Sequence, residues 1–214
     1  MLAVMTIDQR GSRRDVDRVE PLLATLVPEQ VDHADPEGWL LPFERTVGDE
    51  VQGVLTDPAL VLELTLRCAR ERRWSVGIGL GSIRTPIPDS TREASGSAFE
   101  NARAAVNRAK GALDAVAVHG PDLAVSGYAE AVLRTLATVL RRRSSAGWQA
   151  VDLISQGHTQ TETADILGIS KQAVSQRLHA AWWWHEQALR PVAVHLVTEA
   201  ARLTEAARLT EAAQ

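Results

Sequence analysis

The chain has 214 residues, of which 45% are apolar and 23% charged, and its formal net charge is −4. This composition is ordinary for a globular protein of one large or two small domains, and the acidic balance excludes a generally basic nucleic-acid coat. A single cysteine, Cys68, excludes an internal disulfide, and its apolar helical surroundings predict a buried thiol.

The charge is distributed unevenly along the chain. Residues 1–125 hold 14 Lys/Arg against 19 Asp/Glu, whereas residues 134–190 hold 7 against 4. The second stretch is therefore the basic part, as contact with phosphate requires. No run of 18 apolar residues exists, and the start lacks a basic region followed by a long apolar core. We therefore expect a cytoplasmic protein without a membrane segment.

Strands and helices alternate in the N-terminal half, as judged from apolar periodicity and turn residues. The predicted strands cover residues 2–7, 38–47, 50–55, 74–80 and 115–119, and the predicted helices cover 15–27, 57–73 and 96–110. Segments 28–36 and 82–95 are expected to be loops. Pro42 predicts an edge strand or a bulge, and Gly48-Asp49 predicts a hairpin turn. The order β-α-β-β-α-β-α-β predicts a ferredoxin-like α/β core with an added helix and strand, within an α+β protein.

Two carboxylates in this half stand beside glycine turns. Asp8 follows the first predicted strand and precedes Gly11-Ser12, a pattern common in phosphate and metal sites. Asp49 lies at the tip of the hairpin. Taken singly, Asp8 is explained as a helix N-cap and Asp49 as a turn residue. The two together predict a site.

Four segments resemble the blocks of the SatD-like family, and more distantly the nucleotidyl cyclase fold of class III adenylyl cyclases and GGDEF domains. They are MTIDQRGSR, TVGDEVQGVL, VGIGLGSIRTPIP and GSAFENARAAVNRAK, and together they span about residues 2–118. In those enzymes an Asp after the first strand and another on the hairpin tip hold two divalent ions. The amides of the first loop cradle the nucleotide phosphates.

The resemblance implies a Mg²⁺ site at Asp8 and Asp49, with Glu50 as a third carboxylate, and a nucleotide phosphate at Gly11 and Ser12. The late helix matches the Val-Asn-x-Ala-Ala-Arg stretch of cyclases only in part, because Asn101 and Arg103 are shifted. We keep Arg103 as a ligand-binding residue. We expect a domain that binds a nucleotide or cyclic nucleotide, or a scaffold that has lost its ligand, ahead of an active enzyme.

Residues 158–181, HTQTETADILGISKQAVSQRLHAA, predict a helix-turn-helix. Ala164, Gly168 and Val174 stand at offsets of four and six residues, which supplies a small residue at the crossing, a turn former and an anchor. Ser170 is expected to cap the second helix, and Thr159 or Thr161 to open the first. The segment resembles the helix-turn-helix of sigma-factor region 4 and of LuxR-type regulators.

The second helix has a polar face without acidic residues, since no Asp or Glu occurs from Ser170 to Trp184. The side chains expected to reach base edges are Lys171, Gln172, Ser175 and Gln176. Arg177 is expected to contact backbone phosphate. The alternatives are an ordinary helix pair and a helix-turn-helix that binds protein.

The remaining segments are assigned by their helical periodicity. Residues 121–144 are predicted to be a linker helix whose three terminal arginines either contact phosphate or complement the helix dipole. Residues 145–185 are predicted to form a helix-turn-helix DNA-binding domain. Residues 186–214, in a helix starting at Pro191, are assigned to dimerisation. Three consecutive tryptophans at 182–184 point about 100° apart on a helix, so at least one should pack outside the small helical core.

The sequence as a whole predicts a DNA-binding transcription regulator, acting on double-stranded DNA as a homodimer, with a sensor domain over residues 1–120. The rival interpretation is a metal-dependent nucleotidyl cyclase or nucleotide hydrolase whose helix-turn-helix only docks it.

Overall fold

The computed structural model describes residues 1–27 and 36–212, so most of the loop expected at 28–36 lies outside the described residues. A five-stranded mixed sheet forms from the N-terminal half. Its strands are β1 (Ala3–Gln9), β2 (Trp39–Arg45), β3 (Glu50–Leu55), β4 (Trp74–Leu80) and β5 (Val116–His119). The strand order is β2-β3-β1-β4-β5, with every neighbouring pair antiparallel except the parallel pair β4-β5.

Eight α-helices accompany the sheet in the described part, and five of them follow the last strand. They are α1 (Val19–Leu23), α2 (Pro58–Glu71), α3 (Ser97–Gly111), α4 (Leu123–Arg142), α5 (Ser145–Ser155), α6 (Gln160–Leu167), α7 (Lys171–Ala180) and α8 (Trp183–Ala212). The prediction of a mixed α+β protein with a helical C-terminal half is confirmed.

Local chemistry explains most of these boundaries. Asp57 caps α2 by accepting a hydrogen bond from Ala59 N–H, and Pro58 occupies the first helical position. The edge strand β2 has a register shift around Pro42, as predicted from that proline.

The helix predicted over 15–27 is wrong in its length, since only Val19–Leu23 form α1. The Asp15 carboxylate accepts a hydrogen bond from the next backbone N–H, and the Asp17 carboxylate accepts one from Val19 N–H. These bonds satisfy the backbone in a non-helical conformation, so the helix begins only after them.

One face of the sheet is covered by α1, α2, α4 and α8. The odd-numbered residues of β1 join their apolar faces in the main core, which also contains Cys68 as the expected buried thiol. The stretch predicted as a linker is α4, and it packs against α2, α8 and β5. By length and composition alone, α4 is also apolar enough to cross a membrane. Its apolar stripe nevertheless lies in the core through Leu133, Leu136, Ala137 and Leu140.

The other face of the sheet is covered by α3, which approaches β4 very closely. Gly77 and Gly79 of β4 and Gly81 directly after it all face this helix, and a Cβ added at Gly79 would lie 2.1 Å from Ala102 N. The alternating glycines of β4 and the alanine-rich face of α3 therefore form one close-packed contact.

The prediction that a helix begins at Pro191 is wrong, since this residue lies inside α8. Proline has no N–H to donate to the carbonyl of Gln187, four residues earlier. Because Gln187 is exposed, water can solvate that carbonyl, and the helix continues. The side chains of α8 that face the core are Ala193, Val197, Ala200 and Ala201. This face of the helix assigned to dimerisation is thus occupied within one chain.

Candidate functional site

The helix-turn-helix has well-formed caps. Thr159 opens α6 in a capping box with Glu162, in which each side chain accepts a hydrogen bond from the other residue's backbone N–H. Gly168 ends α6 in the left-handed region at φ 63°. Ser170 caps α7 by accepting a hydrogen bond from Ala173 N–H at 3.1 Å. The predicted turn residue and the predicted cap of the second helix are confirmed.

A small core holds α5, α6 and α7 together. Its buried members are Ala150, Val151, Ala164, Val174, Leu178 and Ala181. Val174, Leu178 and Ala181 are the stripe predicted for the second helix. Trp183 packs on this core, whereas Trp182 and Trp184 are 56% and 54% exposed. The expected fan of the three tryptophans therefore places one inward and two outward.

The opposite side of α7 is exposed and polar. Lys171, Gln172, Ser175 and Gln176 all point away from the core and are exposed. Lys171 makes no ion pair in the described part of the chain. The four side chains are therefore free to meet an external partner, and with no acidic residue among them they would not repel phosphate.

Arg177 lies apart from these four. It is half-buried, and its Nη1 donates a hydrogen bond to Gln149 Oε1 of α5 at 3.2 Å. The Arg177 guanidinium therefore lies along the side of the helix-turn-helix, where it bridges α7 to α5.

The helical unit is joined to the α/β part through a network that sequence reasoning missed. The Arg143 guanidinium is buried, donates hydrogen bonds to Ala181 O and is ion-paired with Glu186. Trp148 makes cation–π contacts with two arginines, with the Cζ atoms of Arg70 and Arg143 at 3.9 and 4.4 Å from its ring centroid. The arginine run was expected to contact phosphate or to complement the helix dipole. Neither interpretation describes Arg143, whose side chain holds the junction together.

The predicted carboxylate site lies on the α3 face of the sheet. Asp8 is inside β1 rather than after it, because the strand continues to Gln9. It is buried, and Lys110 of α3 places its Nζ 2.6 Å from Asp8 Oδ2. Burial raises the pKa of Asp8, the Lys110 ammonium opposes that rise, and the charges of Asp49 and Glu50 add to it.

Glu50 is paired directly across from Asp8 in the β1-β3 register and is also buried. Its Oε1 accepts a hydrogen bond from Thr46 and lies 3.6 Å from Arg103 Nη1. Arg103 and Lys110 are seven residues apart and so project from one side of α3. That i, i+7 spacing is the sequence signal that could have identified Lys110.

The other predicted ligand residues lie on turns near these groups. Asp49 is half-exposed in the hairpin turn, where its carbonyl accepts a hydrogen bond from Gln9 N–H. Gly11 adopts φ 70°, and Ser12 begins a short 3-10 turn. Both therefore follow the end of β1 as the sequence predicted, on a turn that requires the conformational freedom of glycine.

The fit of this cluster to a divalent ion is limited by Lys110. Among the described residues, no three His, Cys, Asp or Glu side chains are close enough to share a metal. The Lys110 ammonium already neutralises Asp8, so a Mg²⁺ ion bound there would have to displace it. As folded, these residues form two carboxylate–cation pairs, and we draw no reaction step through a metal.

Comparison of the chain with protein-family models, curated proteins and solved structures finds no match.

Proposed function

We propose that this chain is a DNA-binding transcription regulator in which α7 enters the major groove of double-stranded DNA. The observation that carries the proposal is the exposed, acid-free face of α7 on a helix held by a glycine turn and a serine cap. Lysine and glutamine side chains there can reach phosphates and base edges. Lys171, Gln172, Ser175 and Gln176 are the proposed contacts, with Arg177 at the rim.

The test is fluorescence-anisotropy binding to sheared genomic DNA over a salt series. Wild type is compared with Lys171→Ala/Gln172→Ala/Gln176→Ala and with a matched control, Gln187→Ala/Arg202→Ala, which removes exposed polar groups of α8. Binding that weakens with salt, is lost in the triple variant and survives in the control supports the proposal. Equal binding by all three proteins contradicts it.

We propose that the regulator acts as a homodimer. Residues 134–190 carry a net charge of only +3, so one copy offers little attraction for the phosphate backbone. Two copies with recognition helices about 34 Å apart would reach successive major grooves. Light scattering after gel filtration, at the concentrations used for DNA binding, tests the oligomeric state.

The α/β half is proposed to be a ferredoxin-like sensor that takes a nucleotide or cyclic nucleotide near Asp8, Gly11, Ser12, Asp49 and Arg103. The order β2-β3-β1-β4, with three antiparallel pairs and with α1 and α2 on one face, supports the ferredoxin-like assignment. The exposed guanidinium of Arg103, which lies 3.6 Å from the Glu50 carboxylate opposite Asp8, supports an anionic ligand.

A second candidate is a metal-dependent nucleotidyl cyclase or nucleotide hydrolase. It is favoured by the cluster of carboxylates around Asp8, because the charges of Asp49 and Glu50 help to raise the pKa of Asp8. Incubation with Mn²⁺ and each nucleoside triphosphate tests it. Product formation that is lost in both Asp8→Ala and Asp49→Ala supports the enzyme, and turnover retained in both variants points to a contaminant.

A further inference from the structure

A groove of about 670 Å³ lies between the outer side of α4 and the corner where α7 meets α8. Its size falls within the range of sites that hold small organic molecules. Small residues of α4, including Gly127, Ala131 and Thr135, form one wall. Ala180, Ala181 and Trp182 form the other. The groove is separate from the carboxylate cluster and from the exposed face of α7.

Two kinds of chemistry meet in this groove. Trp182 offers an exposed aromatic ring. Arg142 offers a guanidinium that has no ion pair in the described part of the chain. Arg134 and Arg143, which also line the groove, are paired with the carboxylates of Asp114 and Glu186.

The backbone of the groove is strained at Trp182, which lines the groove and adopts a φ of 57°. Such conformations are costly for bulky residues and cluster at functional sites.

We infer that this groove binds a planar aromatic anion, of the class of a purine mononucleotide. The base would stack on Trp182 and the phosphate would pair with Arg142. The Thr135 and Thr138 hydroxyls line the same groove and suit a ribose. This site goes beyond the proposed sensor at Asp8, and it rests on the proposed function only for its effect on DNA binding.

The location gives the ligand a route to DNA binding. It would contact α4 of the α/β part and the end of the recognition helix at once. A ligand that binds one arrangement of these two elements more tightly than another shifts the population toward it. The expected consequence is that a bound nucleotide changes the affinity of α7 for DNA.

The test is isothermal titration of the full chain, without DNA, against GMP and AMP, with guanosine and ribose 5-phosphate as probes that lack one half of the ligand. We expect 1:1 binding of at least one nucleotide and about tenfold weaker binding of both fragments. Trp182→Leu should weaken binding about fivefold, from the lost stacking. Trp184→Leu is the matched control, because Trp184 is equally exposed and lies outside the groove.

Arg142→Gln should weaken binding as well, because it removes the proposed partner of the phosphate. No heat of binding with either nucleotide at millimolar concentration overturns the inference. Binding that Trp182→Leu and Arg142→Gln leave unchanged also overturns it. DNA binding without nucleotide binding would leave the proposed function standing and this site refuted. Nucleotide binding without DNA binding would support this site and refute the proposed function.

Discussion

Arg143 and Glu186 form an ion pair across the junction of the two halves, with Nη2 2.6 Å from Oε2 and side chains only 1% and 4% exposed. Glu186 also accepts a hydrogen bond from Arg190, and Arg190 pairs in turn with Glu63 of α2. The end of α4, the start of α8 and the middle of α2 are thereby tied together beneath the helix-turn-helix.

Removing one member of this pair should be strongly destabilising. Glu186→Gln leaves the Arg143 guanidinium buried without its counter-charge, and we expect a loss of about 3–5 kcal/mol in the free energy of unfolding. Urea denaturation measures it. Glu199→Gln, in the exposed pair with Arg202, should change stability by less than about 1 kcal/mol.

The double variant Arg143→Met/Glu186→Leu separates charge from volume. Because it removes both buried charges, it should be more stable than Glu186→Gln alone. A double variant as unstable as the single one would contradict the view that the unpaired charge is the cause.

The contact between β4 and α3 gives a second prediction. Gly79→Ala puts a Cβ against the backbone of α3, which cannot move aside as a side chain would. We expect a loss of about 3 kcal/mol or more, at the upper end for overpacked cores. Gly127→Ala is the matched control, because nothing lies within 4 Å of its added Cβ and it lies inside a helix. That change should stabilise the protein by about 0.5–1 kcal/mol.

Much of the fold could be predicted from local signals in the sequence. The helix-turn-helix was predictable because its signals are local: a capping threonine, Gly168, a capping serine and the stripe from Val174 to Ala181. The order of strands and helices along the chain was predictable from apolar periodicity and turn residues. The prediction that a helix starts at Pro191 was wrong because proline is common at the first helical position, whereas solvation of one carbonyl allows α8 to continue through it.

The pairings across long sequence distances were not predictable. Lys110 lies 102 residues from Asp8, and Glu186 lies 43 residues from Arg143. The spacing within α3 places Lys110 on the same side as Arg103, but nothing in the local pattern says which carboxylate either side chain will meet once the helices pack. The arginine run at 141–143 therefore remained open between two interpretations, and one of its members proved to be buried in the junction.

The buried Asp8 predicts how stability depends on pH. Burial raises its pKa in the folded chain above the ordinary value near 3.8. Between those two values the folded state holds a proton that the unfolded state has released, so the free energy of unfolding falls as pH rises through that window. At neutral pH the ionised Asp8 is therefore a net cost, and Asp8→Asn should raise the melting temperature. The advantage should disappear below about pH 4.

Asp15→Asn is the control of opposite sign. The hydrogen bonds from Arg18 lower the pKa of Asp15 to about 2, so its ionised form stabilises the fold above the ordinary value. This variant should melt earlier than wild type at pH 7 and match it as the pH approaches 2. At pH 7, a melting temperature below that of wild type for Asp8→Asn, or above that of wild type for Asp15→Asn, would contradict the corresponding assignment.

The turn between α6 and α7 predicts an effect on DNA binding without any change to the proposed contacts. Gly168 adopts φ 63°, which costs an L-residue about 1–2 kcal/mol and a β-branched one the most. Gly168→Val should therefore destabilise the corner and weaken DNA affinity, although nothing lies within 4 Å of the added Cβ. Gly168→Asn, which tolerates the left-handed region, should retain most of the affinity. Thermal melts and anisotropy on both variants measure this, and equal DNA affinity for Val and Asn at position 168 would mean that the turn does not position α7 for DNA.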